Sequence, residues 1–293
     1  MSGQPAIWAA LRVCRSLCRA LPHSAALSLG EAIGRASGRL SRKKAARARA
    51  RCAKALGVDE AAAERIIGDA YGHFGRALAE FFRLPGLFER IDDFVTVSGE
   101  EHLRSALARG RGVIFLSAHI GCWEYGAAVA ARHGFPMNAI GAEQRDWRMT
   151  NAIAELRRAC GVKPVGKGLD LRAAIECLRK NEVLAVMLDQ DAREAGIVSP
   201  FLGIPASTPV GPLKLARHIG SAIVPVHITR DPDGIHMSMT IEPALEGPGG
   251  EEFGHDLQHA ADRCNEVISG WIRETPGQWM WMYPRWATTT GDV

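Results

Sequence analysis

Gly112-Val113-Ile114-Phe115-Leu116-Ser117-Ala118-His119-Ile120-Gly121-Cys122-Trp123-Glu124 is the stretch around which the chain is organised. Its Val, Ile, Phe and Leu make a short apolar block that predicts a buried strand. The block ends in small residues, and from Trp123 to Arg132 the pattern turns helical with little polarity. His119 and Glu124 thus fall where a strand hands over to a helix, the end at which α/β folds place ligand and catalytic groups. Residues five apart on a regular helix point about 140° apart. The two side chains therefore converge only if His119 precedes the helix. The spacing predicts a loop and then a helix start, with the imidazole aimed outward and the Glu124 carboxylate orienting it.

Such a pair suits general-base chemistry. An imidazole with an ordinary pKa of about 6.5 takes a proton from a hydroxyl at neutral pH. A carboxylate on the other ring nitrogen fixes the tautomer and stabilises the imidazolium that forms. No serine nucleophile is needed if the attacking hydroxyl belongs to the substrate. The spacing alone is a weak signal, because ten His among 32 acidic residues produce about one such match by accident. Its place at a strand-to-helix junction gives it weight.

The composition is globular: 293 residues, 47% hydrophobic and 23% charged. Seven scattered Cys, an odd number, argue for reduced thiols and against a disulfide framework. Residues 1–54 carry twelve Lys or Arg against Glu31 alone, a balance of +11 in a chain whose total is +4, which leaves the remainder at −7. A basic amino-terminal segment on an acidic body predicts an anionic partner for one end only. No run of 18 apolar residues predicts a transmembrane helix, and arginines interrupt what would be a signal peptide.

Residues 5–20 fit an amphipathic helix, with Ile7, Leu11, Cys14 and Cys18 as an apolar stripe, Trp8 beside it, and Arg12, Arg15 and Arg19 on another face. That pattern suits a membrane interface with anionic head groups, or packing on the chain's own domain. No aromatic-interleaved basic strand or recognition helix supports nucleic acid. Residues 24–55 continue helical and basic, and Ser41-Arg42-Lys43-Lys44 offers charge to phospholipid, an acidic carrier protein or water. Residues 59–84 are helical with Phe74, Phe81 and Phe82 internal, and Pro85-Gly86 ends them. From Phe94 strands are predicted at 94–98, 112–117, 137–142, 162–165, 183–188 and 222–230, mostly with helices between. That alternation predicts an α/β fold with a mainly parallel central sheet flanked by helices. The organisation expected is a basic, membrane-associating helical region over 1–85 and a catalytic α/β domain over 86–293.

Further polar groups sit beside this frame. Asp189, Gln190 and Asp191 follow the apolar strand at 183–188, near His119 if the two strands are neighbours. Two carboxylates alone are a weak divalent-metal site, and no metal is expected. Residues 199–212 are rich in Pro and Gly and read as a shaped loop rather than regular structure. His255 and His259 lie one helical turn apart but lack a third zinc ligand. Cys122 reads as a small buried residue and not as a thiol nucleophile. Gln278-Trp279-Met280-Trp281-Met282-Tyr283-Pro284-Arg285-Trp286 reads as aromatic core packing, with Arg285 exposed to a polar site.

Together these pieces resemble the late acyltransferases of lipid A biosynthesis, a family that also includes phosphatidylinositol mannoside acyltransferases. Four blocks carry the likeness in order: Ser117-Ala118-His119 to Glu124, Asp189-Gln190-Asp191, Pro200-Phe201-Leu202-Gly203 to Thr208 and Gly211, and Gln278-Trp279-Met280-Trp281 to Arg285-Trp286. The resemblance implies acyl transfer from acyl carrier protein or acyl-CoA, as donor substrate and with no further cofactor, to a hydroxyl of a lipid A precursor or another glycolipid. It implies His119 as base, Glu124 as its partner, and Asp189 and Gln190 as supporting polar residues. Lys167 would contact phosphate, and Arg285 is what remains of the family's basic triplet. It also implies a seat on the cytoplasmic face of a bacterial inner membrane. A hydrolase using the same pair on water is the rival enzyme, told apart by its free fatty acid product. A non-catalytic lipid- or carrier-binding protein is the rival of another class, and intact His119, Glu124 and Asp189 speak against it.

Overall fold

The computed structural model describes residues 4–141, 146–165, 171–247, 253 and 256–291, with side chains from residue 12 onward. Lys167 and His255 lie outside the described residues. Four helices come first: α1 (Gln4–Ala20), α2 (His23–Leu40), α3 (Arg42–Leu56) and α4 (Glu60–Leu87). Strands and helices then alternate as β1 (Val95–Ser98), α5 (Glu100–Leu107), β2 (Val113–Ser117), α6 (Trp123–Arg132), β3 (Met137–Ile140), α7 (Trp147–Arg158), β4 (Lys163–Val165), α8 (Leu171–Arg179) and β5 (Val183–Met187). A hairpin of β6 (Ile197–Phe201) and β7 (Ile204–Thr208) leads into α9 (Gly211–Ile219), β8 (Ala222–Arg230), β9 (Met237–Ile241), α10 (Leu257–Glu274) and the short α11 (Ala287–Thr290).

Seven strands form one sheet in the order β1-β9-β8-β2-β5-β3-β4, parallel throughout except where β8 meets β9. The α/β class and the mainly parallel sheet are as expected, and all six predicted strands are present. Every residue of β2 is buried, because helices cover both faces of the sheet. Its side chains alternate between two core layers: Ile114 and Leu116 pack with residues of α8, α9 and α10, and Val113 and Phe115 with residues of α5 and α6. The amino-terminal helices join those same layers, through Ala48, Cys52 and Ile67 on one side and Cys18, Phe81 and Phe82 on the other.

Two expectations are corrected, and a third is narrowed to one of its two readings. The Pro- and Gly-rich stretch is regular: β6 and β7 pair antiparallel around a two-residue turn, Leu202-Gly203, with φ of 52° and 82°. Pro200 sits opposite Pro205, one step out from the turn. There the ladder alternation places a non-hydrogen-bonded pair, so the missing N–H groups cost nothing. Phe74 is not internal but partly exposed. In α1, Cys14 and Cys18 pack against the protein's own core, and Val13 and Leu17 are the apolar side chains left exposed.

Helices α2 and α4 meet backbone to backbone. A Cβ added at Gly34 would lie 2.1 Å from the Tyr71 carbonyl oxygen, and one at Gly75 would lie 2.0 Å from that of Gly30. Above this contact Glu31 accepts from Arg76 and Arg35, and Arg35 also reaches Asp69 at 2.8 Å. Gly34→Ala is expected to lower stability by about 1–3 kcal/mol, the usual cost of overpacking, read as a fall in the denaturant midpoint at unchanged slope.

Candidate active site

Strands β2 and β5 are parallel neighbours with Ser117 opposite Met187, and the Leu188 N–H donates to the Ser117 carbonyl at 3.2 Å. Two residues beyond those positions stand His119 and Asp189, side by side at the carboxyl ends of adjacent strands. His119 lies in the loop before α6, and Glu124 in that helix's first turn, as the spacing predicts. The loop turns at Gly121, whose φ is +59°; a Cβ there would meet the Ile228 carbonyl oxygen at 1.7 Å. A carboxyl-terminal strap clamps it from the other side. The Gly121 N–H donates to the Gln278 carbonyl and the Met280 N–H to the His119 carbonyl, each at 3.1 Å.

The partner of the imidazole is Asp189 and not Glu124. His119 Nδ1 lies 2.8 Å from Asp189 Oδ1, while Asp189 Oδ2 accepts from the His119 N–H and from the Trp279 indole, both at 2.8 Å. Asp189 is 2% exposed and the His119 side chain 16%. Burial lowers the imidazole's affinity for a proton, but the Asp189 carboxylate beside it more than compensates and holds the pKa above the ordinary 6.5. Burial likewise pushes the Asp189 carboxyl up, and His119 with the hydrogen bonds outweighs it and keeps the group below the usual carboxylate range.

Glu124 is engaged elsewhere. Its two oxygens accept from Arg157 Nε at 3.0 Å and Nη2 at 2.7 Å, a bidentate pair reaching from α6 to α7. The carboxylate still adds to the field that favours a charged His119, and Arg157 opposes it.

A cavity of about 1140 Å³ opens over these groups. Phe74, Leu78, Phe81 and Phe82 of α4 and Ile153 and Leu156 of α7 give it apolar walls, and His119, Glu124 and Arg157 line it too. Its volume exceeds the roughly 300–1,000 Å³ of most small-ligand sites. Trp123 meets the His119 ring edge-on at 4.9 Å between centroids.

Gln190 and Asp191 line the cavity, whereas Arg285 does not. Arg285 is not exposed to a polar site: it is fully buried, donates to the Ser207 carbonyl at 2.5 Å and Thr208 Oγ1 at 2.8 Å, and lies over the Phe201 ring. It is a brace between the strap and the hairpin, and burial brings its pKa down to about 10. Cys122 is buried as expected, and burial drives its thiol well above its ordinary value, away from the thiolate a nucleophile requires. Among the described residues no three His, Cys, Asp or Glu side chains form a metal-sized cluster. Sequence reasoning misses Arg157, which lies 33 residues from its partner in a helix with two other arginines.

The model of the bacterial lipid A biosynthesis acyltransferase family matches residues 3–288. The chain belongs to this family. The acyltransferase is 29% identical over 249 residues to the phosphatidylinositol mannoside acyltransferase of Mycobacterium tuberculosis, covering 81% of this chain and 76% of that one. It is 28% identical over 207 residues to the lipid A biosynthesis lauroyltransferase of Escherichia coli, covering 70% and 65%. With the palmitoleoyltransferase of the same organism it shares 26% over 232 residues, covering 77% and 72%. The resemblance carried by the four sequence blocks is therefore membership.

Both side chains of the Glu124–Arg157 pair are largely buried in the acyltransferase. Arg157→Ala is expected to cost about 3–5 kcal/mol, since it strands a buried charge. Glu124→Gln combined with Arg157→Ala should cost less than the two single changes together, measured by denaturant unfolding as a double-mutant cycle.

Proposed function

We propose that the acyltransferase moves a fatty acyl chain from a thioester on acyl carrier protein or coenzyme A to a hydroxyl of a lipid A precursor. His119 is the general base and Asp189 its orienting partner. The observation that carries this reading is the His119–Asp189 hydrogen bond at the floor of a large apolar cavity. His119 Nε2 removes the acceptor's hydroxyl proton as that oxygen attacks the thioester carbonyl. The carbon–sulfur bond then breaks, and the imidazolium returns the proton to the departing thiolate. The amino terminus of α6 begins four residues after His119 and directs its dipole toward developing negative charge. Gln190, on the cavity wall, serves as a polar contact to the acceptor, and Lys167 keeps its proposed role at phosphate.

The cavity lining and the exposed apolar side chains near it support a lipid acceptor. Arg12 and Arg15 of α1 and Trp147 of α7 line the cavity, Trp147 is 70% exposed, and Val13 and Leu17 project from α1 at 58% and 51%. Apolar and aromatic side chains among arginines suit the surface of an anionic bilayer. No helix among the described residues is long and apolar enough to cross a membrane. We place the enzyme on the cytoplasmic face of a bacterial inner membrane, held there peripherally or by a single amino-terminal anchor. A phosphatidylinositol mannoside acceptor is the second reading, supported by the similarity to the mycobacterial acyltransferase.

Reconstituted with labelled acyl carrier protein or acyl-CoA and a lipid A precursor, the wild-type protein should label the lipid. His119→Ala should lose about 10²–10⁴ of that rate with folding intact; transfer at the wild-type rate would remove His119 as the base. Label on a phosphatidylinositol mannoside alone would move the acceptor to the second reading. Free fatty acid as sole product would make the enzyme a hydrolase. The base must be neutral to act, so the rate should rise with pH through a midpoint above 6.5, given the raised pKa of His119. Asp189→Asn removes the interaction that raises it, so the midpoint should move down while the maximal rate also falls. Val13→Asp with Leu17→Asp should weaken sedimentation with phosphatidylglycerol vesicles, and unchanged binding would refute the proposed docking face.

A further inference from the structure

We propose that Trp279 is a positioning residue: its indole N–H holds the Asp189 carboxylate in the orientation that serves His119 and sets how tightly the pair keeps its proton. The inference rests on His119 as the base and deepens that reading. Asp189 divides its two oxygens between two tasks. Oδ1 faces the imidazole, while Oδ2 accepts from Trp279 Nε1 and from the His119 backbone, each at 2.8 Å. Without the indole, Oδ2 would keep a single donor in a site that admits almost no water, and the carboxylate would be free to turn about its Cβ–Cγ bond. A buried anion short of a donor is costly.

The indole is itself fixed. Trp279 is 2% exposed and packs against Phe201, Trp281 and Trp286, with ring centroids 4.6–6.2 Å away. Its backbone belongs to the strap that clamps the His119 loop, and a β-bridge joins Trp279 to Ile120. Gln278 ties the strap to β8 through both ends of its side-chain amide, Oε1 accepting from the Arg230 N–H at 2.7 Å and Nε2 donating to the Arg230 carbonyl at 2.9 Å. One segment thus fixes the base's backbone and its carboxylate together.

Removing the indole donor leaves the Asp189 anion less stabilised. The imidazolium compensates for that loss only while protonated, so the pair binds its proton more tightly and the His119 midpoint rises. The other charged groups that bear on the ring are Glu124 of α6 and Arg157 of α7. Arg285 bears on Asp189 from the strap, and His73 of α4 lines the crevice beneath. All of them remain in the chain when only position 279 is changed, and the Trp281 control covers effects that come from repacking of the shared aromatic cluster.

The neighbouring Trp281 provides the control. It is equally buried in the same aromatic cluster, but its indole donates to the Pro276 carbonyl at 2.8 Å. The full chain, labelled with 15N-histidine, reports each imidazole's titration, and the His119 signal is the one lost in His119→Gln. Trp279→Phe should raise the His119 midpoint by about one pH unit, the size implied by one hydrogen bond to a charged group. Trp281→Phe should leave it unmoved. Replacing Trp279 with 3-benzothienylalanine, which exchanges only the N–H for sulfur, should reproduce the Trp279→Phe shift even if the phenylalanine variant folds poorly. In transfer from lauroyl-coenzyme A, or from lauroyl acyl carrier protein if that is the active donor, kcat should fall about tenfold with KM unchanged. An unmoved midpoint in the benzothienyl variant, or an equal shift in Trp281→Phe, would overturn the proposal. Wild-type transfer by His119→Ala alongside a shifted midpoint would overturn the role of the base and leave the Trp279 coupling standing.

Discussion

The parallel register of β2 and β5 is the constraint on which the rest of the site depends. Because Ser117 lies opposite Met187, the two polar residues that follow these apolar strands emerge at the same height. A slip of one residue would turn Asp189 away from His119, since successive side chains on a strand face opposite ways. The two core layers prevent that slip, as Ile114, Leu116, Leu184 and Val186 belong to one and Val113, Phe115, Val183 and Ala185 to the other. Ordinary hydrophobic burial thus fixes the separation of two functional groups 70 residues apart.

Around that register the molecule uses buried charge as bracing. Arg230 on β8 meets Glu80 on α4 at 2.5 Å in the interior, Arg157 holds Glu124, and Arg285 holds the hairpin to the carboxyl-terminal strap. Such contacts add little net stability, because both partners surrender water. Their effect is geometric: each ties together two elements that are separate in sequence and surround the site. The His119 loop, the strap and the wall of α4 are consequently held from three directions.

Much of the fold is readable from the chain because its central strands are buried on both faces and appear as plain apolar blocks. Strand β9 goes unread although Met237-Ser238-Met239-Thr240-Ile241 alternates, because the eye for a parallel sheet seeks continuous runs. The hairpin hides behind its prolines, which ordinarily exclude strands. At the site, His119 and its loop are legible from a strand ending in small residues. Its true partner is not, because no local pattern reveals which strands lie side by side, and Glu124 at a suggestive spacing draws attention first. Trp279 reads as packing because it is packing; only the direction of one N–H separates it from Trp281.

The paired prolines of the β6–β7 hairpin also govern how this surface behaves toward other chains. At the register Pro200↔Pro205, each ring nitrogen takes the place of an N–H that would point away from the hairpin, one on each outer edge. Val198 lies on the first of those edges with its side chain exposed, and its carbonyl accepts from Gln258 Nε2 at 3.0 Å. On the β7 edge the carbonyls of Pro205 and Ser207 are also taken, by Thr289 Oγ1 and by Arg285 with the Ala192 N–H, so a further strand meets a missing donor beside occupied acceptors. The hairpin is thus poorly disposed to sheet extension, its prolines removing donors where its own chain occupies acceptors.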